Sequence, residues 1–542
     1  MRRAPGIFTA LLLVSTIAPA APPEKGIDVP LSAETLIRDN ASFIDANQIL
    51  MFVTNHGIFG RDLVKLISTN YGCGTWWPFS GDTADYIGVE GGVNDHTVQY
   101  SAGLWMGGYV AGELRVTITN GSMDEYWPGP MESETFILDA DTDPQYHVYK
   151  LYSDSLEGNP NADYTDWPES QGAPVDGEGK PAMMGDRMLW SVFNDANPDR
   201  HTVTGGKCTP LGIEVQQTVW AFDRADKDSA NTVFIRYKIY NKGGDDITDF
   251  RLSIFADMEI GDFLDDFIGC DTLDDIFYAY NGLPSDNYYA PLTTPAAGYR
   301  ILKGPVVPAS GETAYFDGHL IPDHKNLGLT SLKRHGMAVP PTDSLEAYNY
   351  MSGLEADGAT LETGTLYDVP GDPVPPSSGF IDYDAGDRVM VGSAGPFDFN
   401  AGDSQYVLLA FASVSGTSNL NSITELRSIL NSYTDFPVGI EDEPPAAQLP
   451  QGYLLSQNYP NPFNPSTTIR FTLPRRSDVK IDIFNILGQR IVTILDEARP
   501  AGQHSVVWDG TDENNRPVST GLYFYRIKAG DYTDSKKMLM LK

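Results

Sequence analysis

Short segments of alternating apolar and polar residues, separated by turn residues, constrain the fold of this chain more than any other feature. Val233–Tyr240 alternates in this way, Asn241–Asp245 supplies a turn, and Phe250–Phe255 follows as a second segment. Leu104–Tyr109 and Gly112–Ile118 repeat the arrangement. Alternation of period two places every second side chain on one face of a sheet, so each pair of segments predicts a β-hairpin.

Other segments extend this prediction to the whole chain. Gln405–Phe411 is a continuous apolar run, which predicts a strand that is covered on both faces. Ser422 and Glu425 form a capping box before a run of helical spacing, which predicts one helix. The 52 glycines and 38 prolines suit many turns. The predicted fold class is all-β, with a large β-sandwich region followed by a small C-terminal immunoglobulin-like β-sandwich.

The N-terminus has the pattern of a secretory signal peptide over residues 1–20. Arg2 and Arg3 precede a short apolar stretch, Ile7–Ile17, and Ala18-Pro19-Ala20 has the small residues of a cleavage site. The stretch is too short for a membrane-spanning helix, and an uncleaved anchor is the alternative. Such a signal predicts export across the inner membrane, and we expect no transmembrane segment in the mature chain.

The rest of the chain divides into four predicted parts. Residues 21–46 are a polar lead-in, and residues 47–440 form the large region, as one sandwich with long insertions or as two packed sub-domains. Residues 441–451 are a Pro-rich acidic linker with no periodicity. Residues 452–542 form the C-terminal module.

Charge excludes one class of partner. The chain has 37 basic and 73 acidic residues, a net charge of −36. Nucleic acid binding needs basic residues for the phosphates, so we expect no nucleic acid partner. The acidity lies before residue 452, because the C-terminal module carries more basic than acidic residues.

The C-terminal module contains ordered blocks that begin with Asn458-Tyr459-Pro460-Asn461-Pro462-Phe463-Asn464-Pro465. Later blocks contain Gly488, Trp508, Gly521, and Lys536 with Lys537. The module resembles the type A C-terminal sorting domain of the type IX secretion system, a pattern shared with immunoglobulin-like domains of the flagellar hook-capping type. The resemblance implies passage through the outer membrane, with the secretion machinery as partner and a final location outside the cell or on its surface. The alternative is an ordinary immunoglobulin-like module that the mature protein retains.

The large region resembles, more loosely, exported proteins that carry the same tail. Tyr100–Gly108, Asp186–Asp195 and Gly395–Gln405 carry this resemblance. It implies no particular reaction.

Acidic clusters in the large region suggest a calcium site. Ca²⁺ takes several carboxylate and carbonyl oxygens, and a loop rich in acidic residues supplies them. A solvated acidic loop is the alternative, because neither of the first two clusters below has the spacing of an EF-hand. The candidate ligands are Asp257, Asp262, Asp265, Asp266 and Asp271 in one cluster, Asp139, Asp141 and Asp143 in a second, and Asn194, Asp195, Asn197 and Asp199 in a third.

No catalytic motif is evident in the sequence, so we assign no catalytic residue. The three cysteines, Cys73, Cys208 and Cys270, allow at most one intramolecular disulfide. Trp77, Trp127 and Trp167 each directly precede a proline, either as loop anchors or as glycan-stacking platforms. We therefore expect a structural or binding role for the large region. A secreted hydrolase of polysaccharide or protein, or a calcium-dependent adhesin or glycan-binding module, is the alternative.

Overall fold

The computed structural model describes most of the chain between residues 41 and 540. The predicted signal peptide, most of the lead-in and the predicted linker lie outside the described residues. The described residues are 41–60, 74–79, 96–120, 123–132, 134–153, 161–201, 207–285, 288–336, 341–434, 453–455, 458, 463, 467–473, 477–486, 488–499, 502–513, 516, 518–530 and 532–540.

The described part is built almost entirely of strands, as expected for an all-β protein. The strands up to residue 258 are β1 (Ala41–Ile44), β2 (Leu50–Thr54), β3 (Ile58–Phe59), β4 (Thr75–Trp76), β5 (Thr97–Val110), β6 (Glu113–Thr117), β7 (Thr119–Asn120), β8 (Met123–Asp124), β9 (Trp127–Pro128), β10 (Tyr149–Tyr152), β11 (Arg187–Asn194), β12 (Ile213–Ala221), β13 (Thr232–Asn241) and β14 (Ile247–Met258). The later strands are β15 (Asp266–Asp271), β16 (Ile276–Asn281), β17 (Ala296–Lys303), β18 (Val306–Phe316), β19 (His319–Asn326), β20 (Ser331–Gly336), β21 (Arg388–Phe399), β22 (Ser404–Val414), β23 (Leu454–Leu455), β24 (Thr467–Leu473), β25 (Ser477–Asn485), β26 (Arg490–Arg499), β27 (Gly502–Trp508), β28 (Gly521–Ala529) and β29 (Tyr532–Met540).

Helices are few and mostly short. The 3-10 helices are Pro144–Tyr146 and Glu169–Gln171, and the α-helices are Ala162–Thr165, Lys227–Ala230, Ser344–Met351 and Asn419–Ser432. None of the helices in the described residues is long and apolar enough to cross a membrane.

The chain divides into two compact units between Ile440 and Glu441. The first unit contains two nine-stranded sheets, both antiparallel. In the first sheet the strand order is β1-β2-β3-β5-β14-β21-β20, with β4 and β6 beside this path. In the second sheet the order is β10-β11-β12-β13-β22-β17-β16-β15, with β9 paired to β11. Because β1 belongs to the first sheet, the last residues of the stretch predicted as a lead-in are part of the folded unit.

One continuous core lies between these two sheets, so the large region is one sandwich. Leu104 and Ile254 of the first sheet and Val219 and Phe411 of the second belong to the same buried cluster. Hydrogen bonds also join the sheets, since the hydroxyl of Tyr299 donates to Oε1 of Gln99 at 2.5 Å. Interdigitated apolar side chains from two facing sheets are the usual core of a β-sandwich.

Helices cover the outer face of each sheet. Ala347 and Met351 of the helix Ser344–Met351 pack with Trp105 and Phe255 of the first sheet. Ile423 and Leu426 of the helix Asn419–Ser432 pack with Leu408 and Ala410 of the second sheet. Covered faces explain why β22 has no regular alternation of apolar and polar residues, as the sequence predicted for Gln405–Phe411.

One predicted hairpin is confirmed and the other is wrong. β5 pairs with β6, with Met106 opposite Thr117, as predicted for Leu104–Ile118. β13 and β14 do not pair with each other, since β13 lies between β12 and β22 and β14 lies between β5 and β21. The turn after Asn241 therefore carries the chain from one sheet to the other. Asn241 fixes this crossing because its Nδ2 donates to the carbonyl oxygens of Asp245 and Phe399, both at 2.9 Å.

The predicted helix is present, but its N-cap is not Ser422. The helix begins at Asn419, and the side chain of Ser418 caps it by accepting a hydrogen bond from the N–H of Asn421. Ser422 instead donates from its hydroxyl to the carbonyl oxygen of Thr294 at 2.9 Å. The capping box is therefore wrong because the serine of the pattern lies inside the helix, where it binds the neighbouring sheet.

The second unit contains a small sandwich of the immunoglobulin-like kind. Its two sheets have the strand orders β23-β24-β27 and β26-β25-β28-β29. β25 and β28 pair over Val479–Asn485 and Tyr523–Ala529. Apolar side chains alternate inward along these strands, and Ile481, Ile483, Tyr525 and Ile527 are fully buried. The sequence shows the same alternation of apolar and polar residues in these strands.

Candidate functional site

An acidic cluster lies where the end of β14 meets the start of β21, two neighbouring inner strands of the first sheet. Asp257 is opposite Val389 in β21 and opposite Ser101 in β5, and its carboxylate is fully buried. Glu259 follows the end of β14, and Asp387 directly precedes β21; both are half-buried. One carboxylate oxygen from each of Asp257, Glu259 and Asp387 lies within 4.8 Å of the others. We call these three residues the acidic cluster.

The acidic cluster contains one of the predicted calcium ligands and a residue that the sequence does not suggest. Asp257 was predicted as a ligand, whereas Asp387 is distant along the chain from the predicted acidic run. Among the described residues, no other group of three potential metal ligands meets this distance. Long-range pairing of β14 with β21 places Asp387 here, and no local spacing signals that pairing.

The remaining acids of the first predicted cluster accept hydrogen bonds from different parts of the protein. Asp262 accepts a hydrogen bond from the N–H of Leu264, Asp265 from Nδ2 of Asn281, Asp266 from the N–H of Ile260 and Asp271 from the N–H of Leu273. Each carboxylate therefore orders a turn or a strand end. The structure does not place these four residues in the acidic cluster.

The second and third predicted clusters have similar structural roles. Asp139 is exposed, burial raises the pKa of Asp141, and Asp143 caps the 3-10 helix Pro144–Tyr146 through the N–H of Gln145. Asp195 is fully buried and accepts hydrogen bonds from the N–H groups of Ile213 and Leu211. The described structure does not bring the acidic residues of either cluster together as a group of three potential metal ligands.

A groove of about 750 Å³ lies beside the edge strand β10 of the second sheet. We call it the Trp167 groove. The elements that form it are β1, the 3-10 helices Pro144–Tyr146 and Glu169–Gln171, β10 and the helix Ala162–Thr165. The lining residues with functional side chains are His147, Tyr149, Asp163, Asp166, Trp167 and Gln171.

Hydrogen bonds fix the polar side chains of the Trp167 groove. Nδ1 of His147 lies 2.5 Å from the carbonyl oxygen of Pro144, and its Nε2 lies 3.2 Å from Oδ1 of Asp163. The other oxygen of Asp163 accepts a hydrogen bond from the N–H of Lys150 at 2.6 Å. The imidazole of His147 stacks on the ring of Tyr149, with 3.9 Å between centroids. The pair His147–Asp163 is thus held in one arrangement.

Trp167 is half-buried, and its side chain, like those of His147 and Asp163, is held in one arrangement. Its indole N–H donates to the carbonyl oxygen of Pro174 at 2.9 Å, and its ring lies 6.0 Å from Tyr149 and 6.1 Å from Trp190. Trp77 and Trp127 also donate their indole N–H groups, to Asn231 and Ile137 respectively. All three tryptophans therefore anchor loops, and Trp167 also lines a groove.

Lys150, a basic residue that lines the Trp167 groove, interacts with neighbouring residues of the protein. The ammonium group of Lys150 lies 3.0 Å from Oδ1 of Asp45 and 4.0 Å from the ring centroid of Phe43. Burial lowers the pKa of Lys150, and the charge of Asp45 opposes this shift. The carboxylates of Asp163 and Asp166 dominate the charge that the groove presents.

Signature residues of the C-terminal unit are part of its core. Phe463 is buried, its N–H donates to the carbonyl oxygen of Leu539, and its ring lies 5.5 Å from that of Trp508. Asn458 is buried, and its Nδ2 donates to Oγ1 of Thr467 at 2.9 Å. Pro460, Asn461, Pro462, Asn464 and Pro465 lie outside the described residues.

The other signature residues are at the surface or in turns. Gly488 has a φ of +75° in the turn between β25 and β26, a conformation that favours glycine. Gly521 begins β28, and Lys536 and Lys537 are on the last strand, β29. The exposed side chains on β28 and β29 include Leu522, Phe524 and Leu539.

Comparison with known proteins finds a family match only within the C-terminal unit. No curated protein matches the chain. Solved structures with similarity include a polysaccharide lyase, with 10% identity, 79% of this chain and 44% of that chain covered and a TM-score of 0.18. Dimeric latent PorU from Porphyromonas gingivalis has 12% identity, with 66% of this chain and 31% of that chain covered and a TM-score of 0.16.

PorZ, a surface component of the type IX secretion system of the same organism, has 9% identity, with 68% of this chain and 44% of that chain covered and a TM-score of 0.13. The chain spans less than half the length of these three proteins. Residues 463–533, in contrast, match the FlgD Ig-like domain family, so the C-terminal unit is similar to that domain.

Proposed function

We propose that this protein is exported through the outer membrane by its C-terminal unit and acts outside the cell or on its surface. The observation that carries the proposal is the match of residues 463–533 to the FlgD Ig-like domain, together with the sorting-domain signature in the same unit. The signal-like residues 1–20 support delivery to the periplasm as the first step. The partner is the secretion machinery of the outer membrane.

The placement of side chains in the C-terminal unit suggests which of its surfaces the machinery reads. Phe463, Asn458 and Trp508 are buried, so they stabilise the unit and do not offer a surface. Leu522, Phe524 and Leu539 are exposed on neighbouring strands, β28 and β29, where Leu522 is directly opposite Leu539. Exposed apolar side chains that cluster in this way are typical of a contact surface. We assign recognition to this face of the unit.

Export is tested with the full-length chain in a bacterium that has a type IX secretion system. Removal of residues 452–542 should leave the protein in the periplasm, while the complete chain reaches the medium or the cell surface. The triple variant Leu522→Ser, Phe524→Ser and Leu539→Ser should reduce export at least tenfold while the purified variant keeps its fold. The control is Thr533→Ala on β29, which should be exported normally. Export of the truncated chain would contradict the proposal, and an exported protein whose mass still includes residues 452–542 would favour a retained module.

For the large region we propose a structural or binding role. Cys208 and Cys270 are free thiols whose burial raises the pKa to about 11 and about 12, respectively. A thiol with such a pKa remains protonated at neutral pH and is a weak nucleophile. A secreted hydrolase is the alternative, and turnover of a polysaccharide or peptide by the purified chain would establish it.

We also propose that the acidic cluster binds Ca²⁺. Three carboxylates supply three to six of the oxygens that Ca²⁺ takes. One oxygen from each carboxylate lies within 4.8 Å of the others, a spacing at which one divalent cation can contact all three. Such a site would stabilise the ends of the inner strands β14 and β21 of the first sheet, in keeping with a calcium-dependent adhesin.

Calcium should raise the melting temperature of the full-length protein by a few degrees relative to the protein in EDTA. A ligand at about 100 times its Kd stabilises the folded state by about 2.7 kcal/mol. The double variant Glu259→Gln and Asp387→Asn should lose this response in calorimetry, whereas the exposed control Asp398→Asn should keep it. Equal melting temperatures of the unmodified protein with Ca²⁺ and with EDTA would contradict a calcium site.

A further inference from the structure

The Trp167 groove combines an aromatic side chain with fixed planar polar groups. Trp167, which is half-buried, cannot rotate freely because its N–H is bonded to Pro174 and its ring packs against Tyr149. The carboxylate of Asp163 is held by the N–H of Lys150 and faces the imidazole of His147. A groove with one aromatic surface and several fixed polar groups is suited to a ligand that is both apolar and rich in hydroxyl groups.

Gln171 contributes a group that needs a hydrogen-bond donor. Its Nε2 donates to the carbonyl oxygen of Gln145 at 3.0 Å. Its Oε1 is buried and accepts no hydrogen bond from any described residue. Burial of a polar atom without a partner is unfavourable, so a ligand hydroxyl or a water that donates here is favoured. Asp166 is exposed at the same groove and offers a further acceptor.

The charge of the groove selects among ligands with hydroxyl groups. Asp163 and Asp166 present negative charge, and Asp45 neutralises Lys150 at 3.0 Å. A uronate, sulfate or phosphate group would be repelled by these carboxylates. The volume, about 750 Å³, is within the roughly 300–1,000 Å³ typical of ligand sites.

We propose that the Trp167 groove binds a neutral glycan, with a sugar ring stacked on Trp167 and its hydroxyl groups bonded to Asp163, Asp166 and Gln171. The inference rests on the binding role that we propose for the large region. It assigns the ligand class to neutral hexose-type chains. A peptide rich in Lys or Arg also complements the negative charge, and the experiment below separates the two.

The test is isothermal titration of the full-length protein with defined probes. The neutral probes are the hexasaccharides of cellulose, starch, laminarin and chitin; the anionic probe is hexagalacturonate, and the basic probe is hexalysine. We expect saturable binding of at least one neutral hexasaccharide and at least tenfold weaker binding of hexagalacturonate. Stronger binding of hexagalacturonate or binding of hexalysine alone would overturn the proposal, as would no binding of any neutral probe.

Variants of residues that line the groove test whether the glycan binds there. Trp167→Ala should weaken the affinity for the neutral probe at least tenfold, and Asp166→Ala and Gln171→Leu should each weaken it severalfold. Because Trp167 also anchors a loop, the last two variants keep the test valid if Trp167→Ala does not fold. The control Glu169→Ala changes an exposed residue of the same segment that does not line the groove, and it should bind as the unmodified protein does. Unchanged affinity in the folded groove variants would overturn the proposal.

Export of the same variants separates this inference from the proposed function. Groove variants should reach the cell surface normally. Loss of glycan binding in a variant that is still exported therefore tests the groove proposal and not the export proposal. If removal of residues 452–542 abolishes export but the purified chain still binds the glycan, the result tests the role of the C-terminal unit and not the groove.

Discussion

Replacement of Asp195 by alanine is expected to lower the free energy of unfolding of the large unit by about 3–5 kcal/mol. Asp195 is fully buried, and its two carboxylate oxygens accept hydrogen bonds from three donors. The N–H of Ile213 lies at 2.6 Å, and the N–H of Leu211 and the hydroxyl of Thr117 each lie at 2.7 Å. Alanine leaves all three donors without this partner in the interior, and each such loss costs about 1–3 kcal/mol.

Urea unfolding of the full-length chain, followed by tryptophan fluorescence, measures this effect. Asp398→Ala is the matched control, because Asp398 is an exposed aspartate on β21. The control should change the free energy of unfolding by less than about 0.5 kcal/mol. A loss below about 1 kcal/mol for Asp195→Ala would show that water replaces the carboxylate, contrary to the buried hydrogen-bond centre described above.

Replacement of Trp508 by alanine is expected to destabilise the C-terminal unit by about 3–5 kcal/mol, since a buried tryptophan leaves a large cavity. Trp508 is 1% exposed, and its ring contacts Phe463 and Tyr523 with centroid distances of 5.5 and 5.3 Å. Its indole N–H also donates to the carbonyl oxygen of Thr511 at 2.9 Å. For a unit of this size the loss lowers the melting temperature by more than about 10 °C.

Calorimetry of the full-length chain distinguishes a local effect from a general one. The transition of the C-terminal unit should shift, while the transition of the large unit stays in place. Phe524→Ala is the control, because Phe524 is 36% exposed on β28 and its removal creates no enclosed cavity. Equal shifts of both transitions, or no shift of either, would contradict the assignment of Trp508 to the core of a separate unit.

Alternating patterns predict individual strands but not their partners. β25, β28 and the hairpin β5–β6 follow from local alternation and local turns, because their pairing partners are nearby or their faces are clearly amphipathic. The turn after Asn241 reverses the chain, but it does not specify which sheet the next strand enters. That choice depends on the pairing of β14 with β5 and β21, which the local residues do not encode.

The candidate sites show the same limit. Asp257 was identifiable from its acidic neighbourhood, whereas Asp387 reaches it only through the pairing of β14 with β21. Trp167 was identifiable as a tryptophan before a proline, whereas His147 joins it through β10 and the adjoining helices. Asp195 lies in a pattern typical of calcium ligands, yet its oxygens bind backbone and hydroxyl donors. The local sequence therefore does not distinguish a carboxylate that orders a loop from a carboxylate that binds a cation.

The position of β22 in the second sheet has a consequence for the order in which the chain folds. β22 joins the strands β10 to β13 on one side to β15, β16 and β17 on the other, and it is the last strand of the large unit in the sequence. The two halves of this sheet therefore stay apart until residues 404–414 are available. Pairings this distant along the chain form slowly. A nascent chain that lacks these residues cannot close its core, a property that would suit the export across the inner membrane that we propose.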